Sequence, residues 1–140
     1  MNPLRSLVDY ERFVYTLPQQ FPLLQRSTLT VIRRGANVAR LTGEIELANG
    51  YRLIVREKLS FAGTSGLIKD YGYEVWCGSE KLYWYDSQPH PDNPLLAGTY
   101  PHHKHLPPDI KRHRIPAPAL SFIKPNLPFL IQEIEQLPKP

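Results

Sequence analysis

The sequence predicts an α+β fold, a single domain in which a curved antiparallel sheet of four to five strands has an N-terminal and a C-terminal helix packed on it. Three observations predict this class. Apolar residues recur at helical spacing near both ends, they alternate with polar residues through the middle, and 140 residues suffice for one modest core. We expect one domain over residues 1–140, with a helical segment at 1–24, a sheet and histidine-rich loop at 27–115, and a helix at 126–137.

Spacing and end signals predict the two helices. Near the N-terminus Leu4, Leu7 and Val14 share one helical face, and Pro18 is expected to end the run. Near the C-terminus Asn126 is a candidate helix cap, and an early proline suits the first turn. Apolar residues then follow at helical spacing, namely Leu127, Leu130, Ile131, Ile134 and Leu137.

Alternation predicts the strands. A short strand at "TLTVI" is followed by a turn at "RRGAN". Two long alternating segments flank "ANG", and a three-residue turn with Gly50 left-handed pairs Ile45 with Leu53 and puts both apolar sets on one face. The segment "SFAGTSGLIK" is expected to be a long flexible connection, and "YGYEVW" with "KLYWYD" predicts an aromatic hairpin. Prolines interrupt the chain from Pro89 to Pro118, so only "RHRI" is a candidate strand there.

One acidic residue conflicts with the alternation. The register of the long hairpin places Glu57 on the apolar face, opposite Leu41. A carboxylate there is costly unless it is paired or lies where the sheet opens into a cleft. Two interpretations stay open: a strand end or bulge turns Glu57 to solvent, or its carboxylate points into a functional site.

Composition excludes several classes of protein. No apolar run approaches the ~20 residues of a membrane helix, and we expect no membrane partner. The N-terminus lacks the pattern of a signal peptide. Cys77 is the single cysteine, which excludes an internal disulfide framework and a cysteine-based zinc finger. We therefore expect a cytoplasmic protein.

The distribution of charge indicates a polyanionic partner. Lysine and arginine number 17 against 13 aspartate and glutamate residues, a formal net charge of +4. Between Glu11 and Glu44 there are five arginines and no acid, and a second basic run extends from Lys104 to Arg114. This favours a nucleic acid, although a merely soluble basic surface is an alternative. The candidate contacts from charge are Arg33, Arg34, Arg40, Lys69, Lys111, Arg112 and Arg114.

The histidines are concentrated in one stretch. Four of the five lie in "GTYPHHKHLPPDIKRHR", and His90 precedes it. One interpretation is a metal site, because His103 and His105 could face one ion if "HKH" is extended, with Asp86 or His90 completing the shell. No His-x-x-x-His pair and no cysteine pair supports it, and Lys104 adds a cation. We therefore predict no metal and no cofactor, and a solvated, proline-stiffened loop remains a further alternative.

The other interpretation is acid–base chemistry on RNA. Metal-free RNA cleavage needs a base for the 2′-OH proton, an acid for the leaving oxygen and cations for the phosphate, and histidine suits both proton roles. The base would be Glu57 or a histidine of "PHHKH". Lys104 with Arg34 or Lys69 would neutralise the phosphate, Tyr85 would hold a base or the sugar, and Asp86 would orient a histidine. The candidate catalytic residues are thus Glu57, Tyr85, Asp86, His90, His102, His103, Lys104 and His105.

Three blocks carry a family resemblance. "YGYEVW", "YDSQPH" and "YPHHKH" resemble, in this order, a tyrosine pair, an Arg-Tyr-Asp-Asn-x-Pro-His block and a His-His-Lys-His block of the TumE-like toxins of prokaryotic type II toxin–antitoxin systems. The resemblance covers residues 27–115 and departs from the pattern at Trp84 and Ser87. It implies a toxin with a cognate antitoxin, expected to be a helix-turn-helix protein, and an RNase activity similar to that of RelE-like toxins. It also adds Tyr71 and Tyr73 to the candidate nucleic-acid contacts.

Together, these observations predict a toxin that acts as a metal-independent ribonuclease by general acid–base catalysis with histidine and Glu57. The alternative is a non-catalytic module that binds nucleic acid or protein through a basic face.

Overall fold

Eight antiparallel strands form one sheet. The computed structural model describes residues 2–140. The strands are β1 (Leu24–Ser27), β2 (Thr30–Arg33), β3 (Val38–Leu47), β4 (Tyr51–Ser60), β5 (Leu67–Cys77), β6 (Glu80–Asp86), β7 (His103–His105) and β8 (Arg114–Pro116). Their order across the sheet is β1-β3-β4-β5-β6-β7-β8, with β2 also paired to β3.

Three helices accompany the sheet. They are α1 (Leu7–Tyr15), the short α2 (Leu17–Gln20) and α3 (Leu127–Glu135), and 3-10 turns lie at Pro3–Arg5 and Pro94–Thr99. The hydroxyl of Ser6 caps α1 by accepting from the backbone N–H of Asp9 at 3.1 Å. Pro18 does not end α1 as predicted, since it lies in the first turn of α2, where a missing N–H costs nothing. Among residues 2–140, no helix combines the length and apolar character that a bilayer crossing needs.

The predicted count of four to five strands is wrong. The short strand predicted at "TLTVI" corresponds to β2, and β1 lies just before it, where no strand was predicted; both pair with β3. The proline-rich region adds β7, because "HKH" is free of proline and its N–H groups can pair along the sheet. The same region holds β8, which overlaps the candidate strand "RHRI" at Arg114 and Ile115. The connection between β4 and β5 is also shorter than predicted, since it covers only residues 61–66.

The register predicted for the long hairpin is confirmed. Ile45 pairs with Leu53, and Leu41 pairs with Glu57. Gly50 adopts φ 96°, the left-handed conformation that its turn requires. The buried pairs Ala39–Leu59 and Ile45–Leu53 therefore lie on one face of the sheet.

The helices cover that apolar face. From α1, Tyr10 is fully buried and reaches Glu57, and Leu130 and Ile131 of α3 are also fully buried. Burying each of these aliphatic side chains contributes roughly 2 kcal/mol. Asn126 begins α3 as predicted, but its side chain does not cap the helix: it bonds Ser121 and the Tyr73 hydroxyl instead. The opposite face of the sheet holds the polar residues described next.

Candidate active site at the ends of strands β5 and β6

One row of residues crosses the polar face of the sheet. Arg56 pairs with Gly72, Gly72 with Asp86, and Asp86 with His103. Directly paired residues point to the same side of a sheet, so these side chains share a face. Gly72 has no side chain, and the Arg56 guanidinium lies over it: a Cβ on Gly72 would be only 2.4 Å from Arg56 Nη2. The guanidinium thus extends across β5 towards Asp86.

A pocket of about 660 Å³ opens beside this row. Its walls include the cations Arg56 and Lys69, the Asp86 carboxylate, and the rings of Tyr71 and Phe122. Within residues 2–140 neither Arg56 nor Lys69 forms an ion pair. Their charges are therefore available to an anionic ligand.

Two buried histidines hold Asp86. His103 Nε2 lies 2.8 Å from Asp86 Oδ1, His105 Nε2 lies 3.1 Å from Oδ2, and the two Nε2 atoms are 3.0 Å apart. Burial alone would raise the pKa of Asp86, but the hydrogen bonds from both rings outweigh it and hold that pKa well below its ordinary value. His103 and His105 are only 1% and 3% exposed. We call these three residues the Asp-His cluster.

A third histidine is bonded to a wall of the pocket. His102 Nδ1 lies 2.6 Å from the Tyr71 hydroxyl, and the His102 ring packs 4.5 Å from the ring of Phe122, measured between centroids. Burial, and then the nearby charge of His103, lower the pKa of His102 below its usual 6.5. His102 is therefore neutral at pH 7 and able to accept a proton.

His90 lies on the outer side of the Asp-His cluster. Its ring centroid is 4.8 Å from that of His103, and the side chain is partly exposed. Burial and the charge of Arg114 lower the pKa of His90. His90 and His102 are thus the two predicted catalytic histidines that are not buried.

Glu57 lies in the core and not at the pocket. The hydroxyls of Tyr10 and Tyr73 each donate a 2.5 Å hydrogen bond to its carboxylate, and Glu57 is 1% exposed. Burial raises its pKa to about 7, against the lowering effect of the two hydrogen bonds. The solvent-exposed interpretation is therefore wrong. The partners of the carboxylate are tyrosines, however, and none of the histidines contacts it.

Lys104 and Tyr85 lie on the face opposite the pocket. Strand alternation turns Lys104 away from its neighbours His103 and His105. Its Nζ lies 3.1 Å from Glu133 Oε2 of α3, and the Tyr85 hydroxyl donates to the same carboxylate at 2.8 Å. Glu133 thus neutralises the lysine that the sequence analysis assigned to the phosphate.

Comparison with protein families identifies the family of this chain. The family model described as Toxin TumE matches residues 14–138, nearly the whole chain. The chain belongs to the TumE toxin family. No curated protein and no solved structure gives a significant match. Membership confirms the resemblance carried by the tyrosine, aspartate and histidine blocks, and it gives the protein a toxin role.

The two departures from the TumE pattern lie near the site. Trp84, where the pattern has arginine, packs edge-on against His105 with ring centroids 4.7 Å apart. Lys81 Nζ lies 3.6 Å from the centroid of the Trp84 ring. Ser87, where the pattern has asparagine, accepts the backbone N–H of Tyr71 at 3.0 Å and is a wall of the pocket. Trp84 does not line the pocket, whose cations are Arg56 and Lys69.

The predicted arginines of the N-terminal half occupy different environments in this TumE toxin. Arg33 forms a two-pronged pair with Glu11, at 2.7 and 3.1 Å, which lowers the pKa of that carboxyl. Arg34 and Arg40 are exposed. Arg40 pairs in register with Lys58 and therefore lies on the same face as Arg56. Arg40 thus extends the basic face beyond the pocket.

The remaining predicted nucleic-acid contacts divide by exposure. Lys111 and Arg112 are exposed in the turn that follows β7, and Arg114 is partly buried opposite His105. Tyr73 is fully buried and Tyr71 is 1% exposed. Neither tyrosine ring is available for stacking on a base.

Sequence reasoning missed Arg56 and Phe122, which line the pocket, and Gly72, over which the Arg56 guanidinium lies. The alternation correctly put Arg56 on the polar face, but its position beside Asp86 depends on the register between β4 and β5. A bulge between Lys58 and Leu59 shifts that register. An isolated glycine in a strand is a known sign of close approach by another group, and Gly72 in "YGYEVW" is that sign here.

Proposed function

We propose that this toxin cleaves RNA in the pocket bordered by Arg56, Lys69 and Asp86, without a metal ion. The observation that carries the proposal is a pocket lined by two cations, neither of which forms an ion pair within residues 2–140, and by Tyr71, whose hydroxyl is bonded to the neutral His102. Cleavage of a phosphodiester requires cations that stabilise the charge developing on the phosphate, and it requires a base, here the histidine, that accepts the 2′-OH proton.

The phosphate would bind to the guanidinium of Arg56 and the ammonium of Lys69. The planar guanidinium can donate two parallel hydrogen bonds to phosphate oxygens, whereas lysine supplies a point charge. Because Gly72 has no side chain, the guanidinium can lie over β5 on the side of Asp86, where a phosphate entering the pocket would meet it. Arg56 takes the role that the sequence analysis gave to Lys104 and Arg34.

His102 is our candidate for the base. Its Nδ1 is engaged by Tyr71, which leaves Nε2 as the nitrogen that exchanges a proton. In the proposed step the 2′-oxygen loses its proton to Nε2 and forms a bond to phosphorus, and the bond from phosphorus to the 5′-oxygen breaks. His90, the other partly exposed histidine, would protonate that leaving oxygen. His103 and His105 would act as positioning residues for Asp86, since both are buried.

The rim of the pocket suits a single-stranded base. Phe122 is a wall of the pocket and is partly exposed, so its ring can stack on a nucleobase. It replaces Tyr85 in this role, because Tyr85 lies against Glu133 on the other face. We therefore propose an unpaired segment of RNA as the substrate.

Incubation of the purified toxin with end-labelled RNA in EDTA tests this function. Cleavage at internal phosphodiesters, giving 2′,3′-cyclic phosphate ends, is the expected result. A salt-sensitive gel shift without products would instead favour the non-catalytic binding module. Cleavage that appears only after a divalent metal is added would contradict the metal-independent mechanism.

The antitoxin proposal rests on family membership. We propose that a helix-turn-helix protein encoded beside the toxin binds it and suppresses its activity. Co-expression should restore growth, and co-purification should give a stable complex. Growth inhibition that persists alongside the soluble neighbour would argue against this pairing.

Two substitutions test the proposed phosphate site. Arg56→Ala should reduce cleavage about 100-fold, because removal of one group that stabilises the transition-state charge has effects of this size. Gly72→Ala should reduce it about 10-fold, because the new methyl group displaces the guanidinium without removing it. Initial rates of cleavage, measured on variants with native circular dichroism, check both.

Arg26→Ala is the matched control, since Arg26 is an exposed strand arginine on β1, away from the pocket. It should change the rate less than twofold. An equal loss in Arg26→Ala and Arg56→Ala would show that general positive charge, and not the pocket, governs activity.

A further inference from the structure

The Asp-His cluster has the geometry of a metal site. We propose that Asp86, His103 and His105 bind one divalent transition-metal ion. The inference goes beyond the proposed function, because RNA cleavage as proposed needs no metal. Each of the three residues offers one ligand atom, and these atoms lie within 4.8 Å of one another.

The distances between the ligand atoms suit a single ion. The Nε2 atoms are 3.0 Å apart, and the two nitrogen-to-carboxylate distances are 2.8 and 3.1 Å. Ligands held ~2.0–2.1 Å from one metal ion are themselves ~2.9–3.4 Å apart, in octahedral or tetrahedral geometry. The cluster therefore requires little rearrangement to accept an ion.

The tautomer of His103 also suits a metal. His103 Nδ1 lies 3.0 Å from the carbonyl oxygen of Pro101, which can only accept, so this nitrogen carries the N–H. Nε2 of His103 is then the nitrogen that faces the Asp86 oxygen at 2.8 Å, and either a proton on Nε2 or a metal ion between the two atoms makes this contact favourable. A backbone carbonyl behind a histidine is also the usual outer partner of a metal ligand.

The surroundings make the cluster rigid and select the class of ion. His103 and His105 come from the same strand and Asp86 from the next, and Trp84 packs against the His105 ring. Two imidazoles and one carboxylate favour zinc and its neighbours among the divalent transition metals over magnesium or calcium, which prefer all-oxygen sites.

The cations near the cluster set an upper limit on its affinity. Lys104, which stands between the two histidines in sequence, does not oppose the ion because it points to the opposite face and pairs with Glu133. Arg114 lies opposite His105 on β8 and is the cation that remains beside the cluster. We therefore expect reversible binding.

Titration of the chelator-treated full chain with Zn²⁺, followed by calorimetry, tests the inference. One equivalent should bind saturably. Asp86→Asn and His105→Ala should each weaken binding at least about 100-fold, since loss of an outer-shell partner alone costs 10–100-fold. His113→Ala, which removes an exposed histidine outside the cluster, should leave the affinity unchanged. Zn²⁺ at 100 times its Kd should raise Tm by on the order of 8 °C.

Nitrogen NMR of the wild type keeps the test independent of variants that fail to fold. Zn²⁺ should shift the Nε2 resonances of two histidines and leave their Nδ1 atoms protonated. Absence of saturable binding, or equal binding by His105→Ala, would overturn the inference and leave a shared proton as the occupant of the cluster. The RNA assay in EDTA tests the proposed cleavage separately, so the metal site and the ribonuclease activity can be refuted independently of each other.

Discussion

His102→Asn should reduce RNA cleavage by roughly 10²–10⁴-fold, the range that loss of a general base produces. The asparagine amide occupies nearly the same place as Nδ1 of the imidazole, so it preserves a partner for the Tyr71 hydroxyl. It cannot exchange a proton at neutral pH. Cleavage rates measured under single-turnover conditions, with growth of cells that express the variant, check this expectation.

Substitution of His102 separates an effect on catalysis from an effect on folding. His103 and His105 are buried against Asp86, so alanine at either position would leave an unpaired buried group and lower Tm as well as activity. His113 is exposed and provides the matched control, for which His113→Ala should retain at least half of the wild-type rate. A His102→Asn variant with full activity would refute the proposed proton transfer.

The wild-type protein should become less stable as the pH rises from about 4.5 to 8, and Glu57→Gln should remove this pH dependence. Glu57 has an ordinary pKa of 4.5, and burial raises it to about 7 in the native protein. Between pH 4.5 and 7 the Glu57 carboxyl is ionised in the unfolded chain but keeps its proton in the native protein. The free energy of unfolding is therefore highest below pH 4.5. The stabilisation disappears as pH rises through 7, and it amounts to about 3 kcal/mol.

The glutamine stays neutral throughout and can still satisfy both tyrosines. Its carbonyl oxygen accepts from one hydroxyl and its amide donates to the other, whereas the hydroxyls of Tyr10 and Tyr73 stay protonated because burial raises their pKa values. Urea unfolding at pH 4.5 and at pH 8 measures the effect. The wild type should lose about 3 kcal/mol more than the variant between the two.

Carbon NMR of the wild-type carboxyl provides a second measurement. Its titration midpoint should lie near 7, far above that of an exposed glutamate. Parallel pH profiles for wild type and variant, or a midpoint near 4.5, would show that Glu57 ionises freely and that its burial has no energetic consequence.

Periodicity in the sequence predicted the parts of the fold that depend on neighbouring residues. The α3 helix, the Gly50 turn and the placement of Glu57 on the apolar face all follow from local spacing, and the structure agrees with each. The strand at "HKH" was missed because its flanking prolines suggested a loop. Three proline-free residues were nevertheless enough to extend the sheet, since β6 offered them an unpaired edge.

The composition of the site was only partly predictable. The histidine and aspartate blocks identified the right region, but they could not separate His102 from His103 or Lys104. The roles of these residues depend on the face of the sheet on which each side chain lies, and on the side chains from distant segments that it contacts there. Lys104 meets Glu133, which is 29 residues away in sequence, and His102 meets Tyr71, which is 31 residues away.

The sequence by itself therefore determined the family, the sheet-and-helix class and the residue types available for chemistry, because these depend on composition and local periodicity. Only the tertiary structure decided that Arg56 lies beside Asp86, that Glu57 is enclosed by tyrosines, and that two histidines converge on one carboxylate. Each of these contacts joins segments through a strand register or a helix packing. Registers and packings are set by the free energy of the whole core, and no short stretch of sequence contains them.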